Sequence, residues 1–111
     1  MKIYIATPVN GRKEATLEEK MEAAFNRVEE LKKILKAKYP DDTFSSIFDI
    51  VPFGVYSLRY MREAEIMGKC VQRVMECDAI FMDAGWMKSA GCCVEMSTAS
   101  IYGKKMIKLG V

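Results

Sequence analysis

The sequence predicts a three-layer α/β/α sandwich built on a parallel sheet of four to five strands, and three observations carry that prediction. Short apolar runs alternate with long helical repeats along the whole chain of 111 residues, the order that builds βαβ units. The helical stretches place apolar residues at three- and four-residue steps, the spacing of an amphipathic face. The shortest apolar run, Ala79–Met82, lies between two helical stretches and suits a strand buried on both faces.

Lys2–Ala6 (KIYIA) is apolar and β-branched, a first strand, and Thr7–Gly11 (TPVNG) is a turn-rich exit from it. Thr16 and Glu19 have capping-box spacing, so a helix starts there. Leu17, Met21, Phe25, Val28, Leu31 and Leu35 carry it to about Lys38, ahead of Pro40. Thr43–Val51 (TFSSIFDIV) has strand composition and ends at Pro52 and Gly54. A second amphipathic helix is expected from Leu58 to Cys77, with Met61, Ala64, Met67, Val71, Val74 and Met75 as core filler. The strand Ala79–Met82 follows. A third helix is capped at Ser89 and stopped by Gly103, and Lys105–Leu109 forms a last short strand. Right-handed crossovers then give a Rossmann-like or flavodoxin-like sheet with helices on both faces. Residues 1–111 make a single domain, with half of them hydrophobic and one core's worth of apolar mass.

Composition excludes several classes of function. The formal net charge is +2 with interleaved signs, so no basic face for nucleic acid is expected. No apolar run is long enough to span a membrane, and the start MKIYIATP has no secretory signature; a cytoplasmic location is the expectation. Four cysteines occur with no Cys-x-x-Cys spacing and read as reduced, buried thiols. The chain has no histidine, which removes a Ser-His-Asp triad and the common zinc sites. Neither a metal nor a cofactor is expected. Chemistry must run on carboxylates, hydroxyls, thiols or backbone amides.

One carboxylate stands out. From Ser89 to Gly103 the only charged side chain is Glu95. A carboxylate on a mostly buried helix is costly unless something pairs with it or uses it. About two turns from the helix start, the helix dipole favours its ionised form, the form nucleophilic or electrostatic catalysis needs. The alternative is a wet stripe on a surface helix. In doubly wound sheets ligands bind beyond the carboxyl ends of the strands. Three loops converge there: Thr7–Gly11, the segment around Pro52–Ser57, and Asp83–Ser89. The chain has no P-loop and no Gly-x-Gly-x-x-Gly after the first strand. What remains is a turn with Pro8, Asn10 and Gly11, a helix N-terminus at Ser89–Gly91 suited to an anion, and Trp86, which either stacks on a base or sugar or caps the core edge.

The string MKIYIATPVNG, the run from Glu76 to Ile80 and the pattern Ser89-x-Gly91-x-x-x-Glu95 after a Gly-Trp loop together resemble the nucleoside 2-deoxyribosyltransferase superfamily. That group includes the deoxynucleoside 5′-monophosphate N-glycosidases, and the closest similarity is to its small uncharacterised branch, over essentially the whole chain. The resemblance implies that Glu95 attacks the anomeric carbon of a deoxyribosyl nucleoside, in two-step retaining chemistry. It further implies that Ser89 with the amides of Ala90 and Gly91 holds the 5′ end of the substrate. Thr7, Pro8, Asn10 and Gly11 then wall the pocket beside the base, with Tyr4 nearby. Homo-oligomers follow from the same resemblance, because neighbouring subunits complete the pockets of such proteins.

One position departs from the pattern. Relatives carry an aspartate on the second helix where this chain has Cys70. That acid is associated with sugar contact or proton delivery, and Asp83, at the end of the third strand, is the candidate substitute; otherwise it is a solvated loop charge. The expected activity is N-glycosyl hydrolysis or 2-deoxyribosyl transfer on a nucleoside or nucleotide. The alternative is a non-catalytic nucleotide-binding or regulatory module on the same fold.

Overall fold

The central strand needs helices over both of its faces, because Ile3, Tyr4, Ile5 and Ala6 are all buried. A computed structural model describes residues 1–9, 12–51 and 63–108. Along them run β1 (Lys2–Ala6), α1 (Leu17–Lys38), β2 (Thr43–Ser46), α2 (Glu63–Glu76), β3 (Ala79–Met82), α3 (Ala90–Ile101) and β4 (Lys105–Ile107). The four strands form one parallel sheet in the order β2-β1-β3-β4. The predicted α/β sandwich is therefore the observed one.

Period-two alternation divides β1 between two cores. Ile3 and Ile5, with Phe81 and Ile107 from neighbouring strands, pack against Val28, Leu31 and Leu35 of α1. Tyr4 and Ala6, with Ile80, face Val74 of α2 and Cys92 and Ala99 of α3 on the opposite side. The chain turns back on itself between β1 and β3: β2 lies on one side of β1 and β3 on the other. That reversal opens a crevice at the carboxyl ends of the strands, and it sets where a ligand can enter.

The helix starts and stops have identifiable causes. Thr16 caps α1 by accepting the Glu19 N–H at 3.1 Å, and its hydroxyl donates to the Glu19 carboxylate at 2.9 Å. The glutamate thus returns to the cap's hydroxyl. Ser89 caps α3, accepting the Cys92 N–H at 3.3 Å. Gly103 turns out of α3 with φ +66°, a left-handed conformation that glycine adopts at little cost.

The second strand is shorter than its composition predicts. It stops at Ser46, and Ile47–Asp49 forms a 3₁₀ turn. The Asp49 carboxylate accepts the Ser46 N–H at 2.7 Å and the Ser45 hydroxyl at 3.2 Å, while Ser46 Oγ accepts the Phe48 N–H at 3.2 Å. Local side-chain bonds capture backbone donors that a longer strand would have used in its ladder. The loop at Pro52–Ser57, the helix start at Leu58 and Met61 lie outside the described residues, as does Leu109. No described helix is long and apolar enough to cross a membrane. Leu31 is fully buried under the sheet, so Leu31→Ala is expected to cost about 2–5 kcal/mol in urea unfolding followed by circular dichroism.

Candidate functional site

Glu95 is where the molecule departs from ordinary packing. Helical periodicity places it on the inward face of α3 with Cys92, Thr98 and Ala99, and only 6% of its surface is exposed. The wet-stripe alternative is thereby excluded. Its described hydrogen-bond partner is a neutral one: the hydroxyl of Tyr4, on the central strand, donates to Glu95 Oε2. Burial pushes the carboxyl up from 4.5 to about 7, and the Tyr4 hydrogen bond opposes that rise. The same contact, with burial first, holds the Tyr4 hydroxyl well above its ordinary range. Helix polarity alone had suggested an ionised carboxylate; loss of water outweighs it.

Glu95 opens onto a cavity of about 660 Å³, within the size of small-molecule sites. Tyr4 and Thr7 line it from the end of β1, and Ser89, Ala90 and Gly91 from the start of α3. Among the described residues, Leu17 and Met21 of α1, Ile47 of the 3₁₀ turn, and Met67 and Cys70 of α2 also line it. Five of the residues anticipated in the sequence thus converge with Glu95 on one hollow. Cys70 of this lining marks the position where relatives carry an acid, but the apolar walls from Leu17, Met21 and Met67 were not anticipated as lining. Their spacing marked them only as core, and periodicity cannot tell a residue facing a core from one facing a hollow. At Gly91 an added Cβ would meet the Met67 Cε at 3.5 Å.

Asp83 sits apart from this lining. Its carboxylate accepts Arg27 Nε at 3.2 and 3.0 Å on its two oxygens and Arg27 Nη2 at 2.9 Å. It also accepts the Thr7 hydroxyl at 2.8 Å and the Ala84 N–H at 2.9 Å. Burial alone pushes its proton affinity up, but the Arg27, Thr7 and Ala84 bonds outweigh that and the carboxyl is lowered. A proton donor needs the opposite shift. Neither alternative drawn from the sequence, a substitute acid or a solvated charge, describes this buried ion pair.

Trp86 belongs to a 3₁₀ turn, Trp86–Lys88, entered through Gly85 at φ +82°. It packs on the core cluster around Tyr4, Val74 and Cys92 and is not among the cavity's lining. Of its two readings, the core-edge cap describes its position. Pro8 is not among the described lining either, and its ring lies near Gly85; Asn10 and Gly11 lie outside the described residues. All four thiols are free. Burial, then the Glu95 charge, pushes Cys70 up to about 11, against a lowering contact with Tyr4. Burial pushes Cys92 up to about 12, so neither cavity thiol is a ready nucleophile. Among the described residues no group of three His, Cys, Asp or Glu is placed to hold a metal ion.

The raised Glu95 carboxyl makes the fold's stability depend on pH. With a folded value near 7 and an ordinary value of 4.5, the folded state holds the extra proton between those limits. Its contribution to stability is complete below about pH 4.5 and is lost as pH rises through about 7. Glu95→Gln removes the charge that burial opposes. The variant is expected to gain up to about 3 kcal/mol over the parent at about pH 8, and little at about pH 4. Urea titrations at both pH values check this; equal differences at the two would contradict it.

A profile of the family described as a domain of unknown function, DUF4406, matches residues 1–108. No curated protein and no solved structure matches the chain. With nearly its full length inside that profile, this chain belongs to the DUF4406 family.

Proposed function

We propose that the protein binds a nucleoside or nucleotide in this cavity and cleaves its N-glycosyl bond, or transfers the 2-deoxyribosyl group, with Glu95 as nucleophile. The supporting observation is a carboxylate 6% exposed, lining a small-molecule-sized hollow and bonded to a neutral hydroxyl rather than to a described cation. A carboxylate paired with arginine is a poor nucleophile; one bonded to a phenol keeps electron density for attack. The likeness of Ser89-x-Gly91-x-x-x-Glu95 to the nucleoside 2-deoxyribosyltransferases supplies the reaction class.

In this reading the ionised Glu95 attacks the anomeric carbon as the bond to the base breaks. The bonding pair leaves with the base, which takes up a proton. The glycosyl ester so formed is then opened by water or by a second base, with retention. Tyr4 holds one carboxylate oxygen and leaves the other to react. The amides that open α3, with Ser89, face the end of the substrate away from the base. Cys70 stands in the wall where relatives carry an acid, so protonation of the leaving base depends on solvent or on the base itself.

Incubation with deoxynucleosides and their 5′-monophosphates, with free base followed by chromatography, tests the reading. Base release is expected from the parent, with loss of about 100-fold or more in Glu95→Ala. Below about pH 7 the rate is expected to rise with pH and then level, following ionisation of the nucleophile. No release above the Glu95→Ala background removes the enzymatic claim. A second reading has a specific support: the thiol at position 70, near 11, is a far weaker acid than a carboxyl. Saturable nucleotide binding without turnover, unchanged in Cys70→Asp, would favour a non-catalytic binding module.

Self-association belongs to the same proposal. Met87 is 74% exposed and Ile101 77%, with Val94 and Tyr102 also exposed on or beside α3. Within α3 the charged side chain, Glu95, is turned inward, and Lys88 beside Met87 is exposed. An apolar helix face of this kind suits a symmetric partner, a second copy. Light scattering is expected to give a dimer or larger, and a smaller species for Ile101→Glu; a monomeric parent at micromolar concentration overturns this part.

A further inference from the structure

We propose that Arg27, which lies outside the cavity lining, is a positioning residue for it: through Asp83 and Thr7 it ties the ends of β3 and β1 to α1 and so sets the width of the hollow that Glu95 faces. For its ligand readout, and only there, the proposal rests on the nucleoside reading.

The connections are short and mostly out of water. Arg27 leaves α1 and grips Asp83 through Nε and Nη2, while its Nη1 is held by Glu30 at 2.7 Å. The Asp83 side chain is 5% exposed and that of Arg27 31%, so water screens this pair far less than an open surface pair. A planar guanidinium meeting a carboxylate at two nitrogens fixes orientation as well as distance. Asp83 passes that constraint on. Its oxygens accept the hydroxyl of Thr7 from the neighbouring strand and the N–H of Ala84, and its own carbonyl accepts the Trp86 N–H at 3.3 Å.

Thr7 lines the cavity, but its hydroxyl is already committed. It donates to Asp83, and Arg12 Nη2 approaches it at 3.3 Å while Arg12 Nε holds the Pro8 carbonyl at 2.9 Å. Its single donor therefore serves the strand-end frame, leaving none for a ligand. Two walls depend on the same joint. On α1, Leu17 and Met21 line the hollow two to three turns before Arg27, and on α3 Ser89–Gly91 follow the turn that Asp83 begins. Release of the Arg27–Asp83 joint frees α1 from the strand ends and lets the two walls move relative to each other.

The test uses the full chain with Arg27→Met, and with the double variant Arg27→Met/Asp83→Asn, which leaves no buried unpaired charge. Trp86 is the sole tryptophan and sits in the turn that follows Asp83, so its emission reports on the joint without any ligand. Circular dichroism first confirms that the proteins compared are folded. Acrylamide quenching of Trp86 is expected to rise about threefold or more in the folded variants, and by a smaller amount in Arg27→Lys, which keeps the charge but loses the two-nitrogen grip. With deoxyadenosine 5′-monophosphate as probe, KM is expected to rise about tenfold or more while kcat changes much less, the mark of a displaced binding wall.

Parent-like quenching in the folded double variant overturns the proposal, because the turn would then stand without Arg27. Raised quenching with an unchanged KM overturns the claim that the joint sets the cavity's width. A parent protein that neither binds nor turns over the probe defeats the nucleoside reading, while the quenching comparison still decides the role of Arg27.

Discussion

A carboxylate taken out of water must be compensated, and the two at the carboxyl ends of this sheet are compensated in opposite ways. Asp83 receives a guanidinium, a hydroxyl and an amide, and its proton affinity falls. Glu95 receives one phenol, and its proton affinity climbs toward neutrality. Both are nearly out of contact with water, at 4% and 6% exposure, but Glu95 lies deeper and has the weaker partner, and both differences push its carboxyl up. One group is therefore a fixed anchor outside the cavity lining, and the other lines the cavity and is poised to change its charge. Such a division is what a site needs if one part must hold still while another reacts.

The poised group is also a burden on the fold. A carboxyl that prefers its proton when folded subtracts from stability once the solvent is alkaline enough to remove it. That burden is carried by the two cores around β1, where Ile3, Ile5, Leu31, Leu35 and Ile80 are almost wholly out of water. The proposed chemistry is consistent with this arrangement: a costly buried carboxyl is tolerated where two apolar cores supply the stability.

The fold was legible because periodicity reports burial directly. The step of three and four residues in α1 and the apolar, β-branched run of β1 needed nothing distant in the chain to be read. The limit of β2 was not legible in the same way. TFSSIFDIV has strand composition throughout, yet Ser46 and Asp49 divert the backbone with bonds that composition does not reveal. At the site, Glu95 announced itself as a lone charge on an apolar helix. Arg27 did not: it looks like any other basic residue on an amphipathic helix, and its partner lies 56 positions away. Tyr4 falls between these cases. A tyrosine within a strand buried on both faces must find a partner for its hydroxyl, but only the register of β1 beside β3, under α3, identifies that partner as Glu95.

Tyr4 sits in the middle of the sheet, opposite Ser45 on one side and Ile80 on the other. Interior strands of this kind open only when the entire molecule does. The phenol that steadies Glu95 is therefore built into a well-protected part of the fold, whereas Thr7, Leu17, Ile47 and Ser89–Gly91 of the lining belong to helix starts and turns. Fluctuations that admit or release a guest can occur at the rim without disturbing the acid's support.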